Sequence, residues 1–329
     1  MPGQSLIFIA AKPLSIGIRP IRMTLPFDIL VAGEINPDLI LSGDVEPAFG
    51  QVEKLVETAG LSVGSSSVIF ACGAARLGLR IAFKGVCGDD IFGRYMLEEM
   101  SLRGVNITNV IRVPGAATGL SIILNRGMDR AILTYPGLIS ALRAEDVSDA
   151  LLRQTRHLHV ASYFLQSALQ PGLPGLFERA HLLGVSTSLD TNYDPSGQWQ
   201  GFDEILALTN VFLPNETELC SLAGLENVDL AADKLAHKVE TLVVKLGPAG
   251  ALAIKNGQKL RVASLPVKVV DSIGAGDSFD AGFIYGYLGG WPLEKTLKLA
   301  AICGALSTRA AGGTKAQATL KEVAQYGIG

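Results

Sequence analysis

Apolar runs of strand length alternate with helical patterns along most of this chain. The segments 27–33, 80–85, 157–161 and 185–190 are predicted as buried strands, and 171–183 carries a helical pattern between two of them. Such alternation is typical of a parallel sheet with helices on both faces, because each parallel connection needs a crossover. The sequence therefore predicts an α/β fold, a three-layer α/β/α sandwich with a mostly parallel sheet.

Two segments, 39–63 and 118–135, interrupt this alternation. Their strand-like patterns contain turn residues, and neither segment carries a helical pattern. They predict a small β-sheet that projects from the main sheet as a lid over a cleft. Because the chain has no linker or internal repeat, we expect a single domain over 27–326 into which the lid is inserted. Residues 1–22 lack the alternation of strand and helix patterns, and we interpret them as an N-terminal extension that contains no catalytic or binding residue.

Composition excludes several classes of protein. The 28 Lys and Arg residues against 31 Asp and Glu residues leave a net charge of −3, which argues against nucleic-acid and membrane-surface partners. No apolar run approaches the roughly 18 residues that span a bilayer. The scattered cysteines Cys72, Cys87, Cys220 and Cys303 form no C-x-x-C pair. We therefore expect reduced thiols in a cytoplasmic protein.

The motif with the clearest chemistry is Gly274-Ala275-Gly276-Asp277, which follows the apolar run 265–270 and opens a helical pattern. Bare N–H groups at a helix start suit an anionic phosphoryl oxygen. A carboxylate directly after them could take a proton from an attacking hydroxyl. An anion hole beside a base is the minimal apparatus for phosphoryl transfer to an alcohol. The alternative is a glycine-rich turn in which Asp277 is only a cap.

The stretch 271–279, D-S-I-G-A-G-D-S-F, resembles the second signature of the PfkB family, the ribokinase-like carbohydrate and nucleoside kinases. The resemblance extends over nearly the whole chain. It implies a ribokinase-like fold, with ATP and Mg²⁺ as cofactors, and a lid that often mediates dimerisation. It also implies that Asp277 is the base and that Gly274, Ala275 and Gly276 form the anion hole.

The same resemblance assigns residues to the nucleotide side. Asn215 and Glu218 match an N-x-x-E motif that organises the magnesium and water shell around the ATP phosphates. Lys245, Gly247 and Gly250 resemble the strand and turn at the nucleotide phosphates, where the lysine offers a point charge. The alternatives are simple helix capping by the first pair and a β-hairpin turn with a solvated lysine.

Asp271 and the carbonyl of Ile273 align with the family's monovalent-cation site, which implies activation by K⁺. The chain has no G-x-x-x-x-G-K-[ST] sequence and no G-x-G-x-x-G after its first strand. These absences argue against a P-loop kinase and a dinucleotide-binding fold. An exposed lid edge favours a homodimer.

The acceptor side matches less closely. Asp38 aligns with the family's sugar-binding aspartate, and Asn36 with a residue beside it. Gly64-Ser65 stands where the first signature has Gly-Gly, and Ile69 replaces its asparagine. An isoleucine offers only apolar contact, so we expect a less polar acceptor and poor use of ribose and fructose. The alternative is that Ile69 packs into its helix and a neighbouring serine replaces the lost contact.

These patterns predict a kinase that transfers the γ-phosphoryl group of ATP to a hydroxyl of a small sugar or sugar derivative. A nucleoside kinase on the same scaffold is the alternative activity, since Ile69, Tyr135 and Tyr163 could form an apolar base pocket. A catalytically inactive sugar-sensing protein is the alternative from another class, although the intact motifs argue against it.

Overall fold

The computed structural model describes residues 25–126 and 129–328. These residues form fifteen strands, β1 to β15: Ile29–Ala32, Pro37–Ser42, Thr58–Val63, Ile81–Lys84, Val86–Gly88, Val105–Asn106, Ile111–Val113, Leu120–Arg126, Asp129–Tyr135, His157–Val160, Ser186–Leu189, Val211–Phe212, Thr241–Lys245, Ala251–Lys255 and Gln258–Val262. They also form ten α-helices, α1 to α10: Ser66–Arg76, Ile91–Leu102, Asp149–Leu152, Leu173–Leu182, Asp203–Ala207, Glu216–Ala223, Val228–Ala236, Ala275–Leu288, Leu293–Ser307 and Leu320–Val323.

Among the described residues the main sheet has nine strands, in the order β15-β14-β13-β12-β11-β10-β1-β4-β6. All neighbours from β13 to β6 pair in parallel, and β14 and β15 return antiparallel at one edge. The mostly parallel sheet predicted from the alternation is therefore confirmed. Most of the parallel strands are joined by helical crossovers and run in the same direction. Their carboxyl ends therefore lie side by side along one end of the sheet.

The main sheet has a hydrophobic core on each of its faces. Ile29 and Val31 of β1 belong to one buried cluster, together with residues of α1, α8 and α9. Leu30 and Ala32 of the same strand belong to another, with residues of α4, α6 and α7. Because successive strand residues point to opposite faces, this division confirms helical layers on both sides of the sheet.

A separate four-stranded sheet has the order β3-β2-β8-β9. Strands β2 and β8 are parallel, and the two outer pairings are antiparallel. These strands come from the two segments that interrupt the alternation, so the predicted small sheet is confirmed. Every residue of the edge strand β9 is exposed.

No helix within residues 25–126 and 129–328 is long and apolar enough to cross a membrane. All four cysteines are free thiols. The predicted N-terminal extension, residues 1–22, lies outside the described residues.

Candidate active site

The predicted nucleotide-side residues and several other polar residues lie where the parallel strands end. Glu34 follows β1, Asp190 follows β11, Asn215 follows β12, and Lys245 is the last residue of β13. Open α/β sheets bind ligands at the carboxyl ends of their strands, because the loops there converge on one crevice. The N-terminus of α8, with the glycine-rich turn, also lies at the carboxyl ends of the strands, next to Lys245.

The glycine-rich turn has the features of an anion site. Gly274 precedes α8 with φ of 72°, and a Cβ there would lie 2.7 Å from the Cα of Gly313, so the position requires glycine. The N–H of Ala275 lies 3.3 Å from the carbonyl of Ser272. Among the described residues, the N–H groups of the next two positions of the helix have no partner. These free donors lie at the positive end of the helix dipole.

Asp277 lies in the first turn of α8 and is 8% exposed. Burial raises the pKa of its carboxyl to about 8, and the neighbouring Asp190 acts in the same direction. The charge of Lys245 and a hydrogen bond from Ser66 oppose this increase. A carboxyl with a pKa near neutrality is suited to exchange a proton with a reacting hydroxyl.

The side chain of Lys245 is buried between two carboxylates. Its Nζ lies 2.8 Å from Asp190 Oδ2 and 3.1 Å from Asp280 Oδ2, and its side chain is only 12% exposed. Burial alone would lower the pKa of Lys245, but the surrounding carboxylates raise it overall. Lys245 is therefore not the solvated lysine of the hairpin alternative. A Cβ on Gly276 would lie 3.6 Å from this Nζ, so the ammonium lies against the glycine-rich turn.

Asn215 and Glu218 cap the start of α6. Asn215 Oδ1 accepts the N–H of Glu218 at 2.9 Å, and Glu218 Oε2 accepts the N–H of Asn215 at 2.9 Å. Burial raises the pKa of Glu218 to about 7, and Asp190 adds to the increase. A buried carboxyl such as Glu218, whose proton affinity a second buried carboxylate raises, is an environment in which a nearby Mg²⁺ ion would be stabilised. Because both oxygens of Glu218 already accept hydrogen bonds, a contact through water fits this residue.

The turn between β13 and β14 contains Gly247 and Gly250, with φ of 53° and 95°. A Cβ on Gly250 would overlap the carbonyl oxygen of Val262 on the neighbouring strand. This glycine is therefore required by the close approach of backbone. The turn closes an antiparallel hairpin at the sheet edge, next to Lys245.

The predicted acceptor residues meet where the small four-stranded sheet, the predicted lid, joins the main sheet. Asn36 Nδ2 lies 3.5 Å from Asp38 Oδ1 and 3.4 Å from Ser121 Oγ of the lid. A Cβ on Gly64 would overlap the Asp38 carboxylate, so the backbone and this side chain are in close contact. Burial raises the pKa of Asp38 to about 7, while the charge of Arg130 on β9 opposes the increase.

A polar network that the sequence interpretation missed centres on Glu34. This carboxylate accepts hydrogen bonds from Ser65 Oγ at 2.9 Å and from Ser162 Oγ at 2.9 Å. Asn192 Nδ2 donates to Ser162 Oγ at 2.8 Å and to Ser66 Oγ at 2.5 Å. The network links the acceptor side to Asp277 through Ser66. Its only sequence signal was the placement of polar residues directly after predicted strands.

Ile69 on α1 lies beneath the glycine-rich turn. It is 3% exposed, and its side chain packs against Gly274 and Gly313. Ser65 caps α1 by accepting the N–H of Val68 at 3.1 Å. These contacts agree with the packing alternative for Ile69, although the identity of the acceptor stays a prediction.

The two residues of the predicted potassium site lie in the loop before α8. Asp271 accepts the N–H of Ile273 at 3.0 Å and that of Gly312 at 2.9 Å. The carboxylate thus holds two loops together beside the glycine-rich turn. Its oxygens and the carbonyl of Ile273 are of the type that binds alkali cations, so the residues are chemically suitable.

The fold is shared with solved structures of sugar kinases. A putative ribokinase II of Escherichia coli, solved in complex with ATP and Mg²⁺, superposes with a TM-score of 0.82 at 22% identity, covering 91% of this chain and 98% of that chain. The described fold is therefore ribokinase-like.

Residues 28–320 match the model of the pfkB family of carbohydrate kinases. A 5-dehydro-2-deoxygluconokinase of Geobacillus thermodenitrificans is 28% identical over 92% of this chain and 93% of its own length. An uncharacterized sugar kinase of Archaeoglobus fulgidus is 31% identical over 69% of this chain and 90% of its own length. The chain belongs to the pfkB family and is a sugar kinase.

Proposed function

We propose that this protein transfers the γ-phosphoryl group of ATP to a hydroxymethyl or similar alcohol of a small sugar or sugar derivative. The observation that carries the proposal is the position of Asp277 beside the unpartnered N–H groups at the start of α8. The Asp277 carboxylate takes the proton of the acceptor hydroxyl. The hydroxyl oxygen bonds to the γ-phosphorus as the bond from that phosphorus to the bridging oxygen breaks, and ADP leaves.

The glycine-rich turn from Gly274 to Gly276 forms the anion hole, and the unpartnered N–H groups at the start of α8 stabilise the charge on the transferring phosphoryl group. The remaining nucleotide-side residues bind phosphates directly or through Mg²⁺, which supplies charge neutralisation when bound. They are Asn215, Glu218, Lys245, Gly247 and Gly250. Asp271 and the Ile273 carbonyl are the residues that would hold K⁺, which would supply a further positive charge when bound.

On the acceptor side, Asp38 and Asn36 orient sugar hydroxyls, and Gly64 and Ser65 line the same region. The relatives support a sugar or sugar acid, since one of them is named for 5-dehydro-2-deoxygluconate. The nucleoside alternative loses one of its aromatic residues. Tyr163 is only 7% exposed, and the centroid of its ring lies 5.1 Å from that of Phe164 and 5.0 Å from that of Phe202. This burial argues against stacking of a base on Tyr163.

We also propose a cytoplasmic location, because the four cysteines are thiols and three of them are buried. A second copy of the chain is the proposed partner, docked through the edge of the lid. Neither nucleic acid nor membrane is expected as a partner, given the net charge of −3.

The test is ATP turnover with a panel of sugars, sugar acids and nucleosides, run on wild type and Asp277→Asn. Loss of the base should lower kcat by at least about 10²-fold while ATP binding persists. Asp233→Asn, which changes an exposed aspartate of α7, is the matched control and should retain activity. Activity of Asp277→Asn within about threefold of wild type would remove Asp277 from this role, and turnover of nucleosides alone would favour the alternative kinase.

A further inference from the structure

Three carboxylates are crowded at the base of the glycine-rich turn. Asp190, Asp277 and Asp280 can each place one oxygen within 4.8 Å of the others, and all three are buried. Asp277 and Asp280 are three positions apart in α8 and therefore lie on one face of the helix. Charges this close repel one another strongly where water is excluded, and each favours the protonated form of its neighbours.

Lys245 is the only described residue that forms an ion pair with this group. Its ammonium bonds to Asp190 and Asp280, and it reduces the proton affinity of Asp277 without an ion pair to it. Its backbone is anchored as well, since its N–H donates to the carbonyl of Pro214 at 3.0 Å. The ammonium therefore has a fixed position relative to the helix start.

We propose that Lys245 is a positioning residue for the base, whose fixed ammonium offsets the charge of the three crowded carboxylates and so keeps Asp277 available as the base. The inference deepens the proposed function and rests on it for the role of Asp277. Without the ammonium, the crowded carboxylates would leave a smaller fraction of Asp277 as the carboxylate that accepts the proton of the acceptor hydroxyl.

Other charged groups face the three carboxylates from the surrounding elements, and most of them oppose the ionisation of Asp277. Glu34 after β1 raises the proton affinity of Asp277. Glu218 of α6 and His159 of β10 both interact electrostatically with Lys245. Burial lowers the pKa of His159 well below its usual value, so this ring is neutral and contributes no positive charge. Among the described residues, the ammonium of Lys245 thus supplies the positive charge that offsets the negative charge of the three carboxylates.

The test is a titration of the ligand-free protein with ¹³C-labelled aspartate carboxyls, in which Asp277→Asn identifies the Asp277 signal. In Lys245→Gln, which removes the charge but keeps a hydrogen-bond donor, we expect the pKa of Asp277 to rise by at least about one unit, or about tenfold less carboxylate at pH 7. The acid limb of kcat/KM for the acceptor, measured at saturating ATP, should move upward equally.

Two controls separate charge from packing. Lys255→Gln alters a lysine at the opposite end of the β13–β14 hairpin and should leave the pKa of Asp277 unchanged. Asp280→Asn breaks one ion pair but keeps the ammonium, so the pKa of Asp277 should stay equal or fall. Lys245→Thr replaces Lys245→Gln if the latter does not fold.

An unchanged pKa of Asp277 in Lys245→Gln would overturn the inference, whether or not the wild type transfers phosphate. An equal rise in Asp280→Asn would also overturn it, because packing and not charge would then be the cause. A wild type that phosphorylates no acceptor would instead contradict the proposed function.

Discussion

Asp277 combines deep burial with a reaction that requires it to ionise. The crowding of carboxylates around it makes the ligand-free site electrostatically unfavourable at neutral pH, since each buried charge is weakly screened. A bound Mg²⁺ ion would offset part of this negative charge. At the scale of single residues, the proposed catalytic residue is therefore also a residue that destabilises the empty protein.

The first prediction concerns stability and pH. Because the pKa of Asp277 is about 8 in the folded protein, well above its usual value of 3.8, the folded state binds this proton more tightly than the unfolded chain. The resulting contribution to stability is complete below pH ~4 and is lost as the pH rises towards 8. We expect Asp277→Asn, which cannot ionise, to melt at a higher temperature than wild type at pH 8.

Near pH 4 the two melting temperatures should converge. Thermal unfolding of the ligand-free proteins between pH 4 and pH 8 measures both limits. A variant that is less stable than wild type at every pH would show that Asp277 stabilises the fold.

The second prediction concerns Ile69→Asn. Ile69 packs against Gly274 and Gly313, so a buried amide there should cost about 1–3 kcal/mol of unfolding free energy and disturb the glycine-rich turn. We expect a lower melting temperature and no gain in kcat/KM for ribose or fructose. Ile69→Val, which keeps an apolar side chain, is the control. Improved use of the simple sugars would instead support the direct acceptor contact inferred from the sequence.

At the scale of elements, the start of α6 combines helix capping with the proposed role of Glu218 at the metal ion. Asn215 and Glu218 form reciprocal capping hydrogen bonds, and Glu218 also lies in the carboxylate-rich crevice. Capping stabilises the helix, whereas the crevice position makes the same residue available to the shell of a metal ion. The two roles predict different consequences of mutation.

The third prediction separates these roles. Glu218→Ala should raise the Mg²⁺ concentration at half-maximal rate by about tenfold, since loss of a residue that orients the metal shell typically weakens binding by this order. Glu216→Ala removes an exposed acidic residue from the same helical turn, and only a small loss of stability is expected. An unchanged Mg²⁺ dependence in Glu218→Ala, with only the melting temperature lowered, would leave capping as its sole role.

At the scale of the whole molecule, the lid leaves apolar residues unpaired. Strand β9 is an edge of the small sheet, and its Ile132, Leu133 and Tyr135 are each more than half exposed. An exposed edge with apolar side chains favours pairing with another strand. A second copy of the chain offers the same edge, and a twofold-symmetric dimer would cover both.

The fourth prediction is therefore that the wild type is a dimer and Leu133→Asp a monomer, because a charge on the edge strand opposes burial of the interface. Sedimentation velocity over a range of concentrations measures this. Leu182→Asp, at an exposed position of α4, is the control and should remain dimeric. A monomeric wild type would contradict the proposed interface.

Local patterns in the sequence were sufficient to predict the architecture and the principal motifs. Apolar periodicity predicted the parallel sheet and its helical layers, and the two segments without helices predicted the small second sheet. The sequence also predicted that α8 begins at the glycine-rich turn and α6 at Asn215, because a helix start depends on neighbouring residues. Such features involve interactions over a few positions, and the residue order alone contains them.

The partners of the charged groups were decided only by the tertiary structure. Lys245 was predicted from the sequence to contact phosphate, but nothing in its segment indicated its ion pairs with Asp190 and Asp280, which lie 55 and 35 positions away. Nor could the sequence show that Ser162 would reach Glu34 across 128 positions. Parallel crossovers bring the carboxyl ends of strands that are distant in the sequence to the same end of the sheet. The burial that results raises the pKa of Asp277. Both depend on how the whole chain packs, since local sequence determines neither distance nor solvent exclusion.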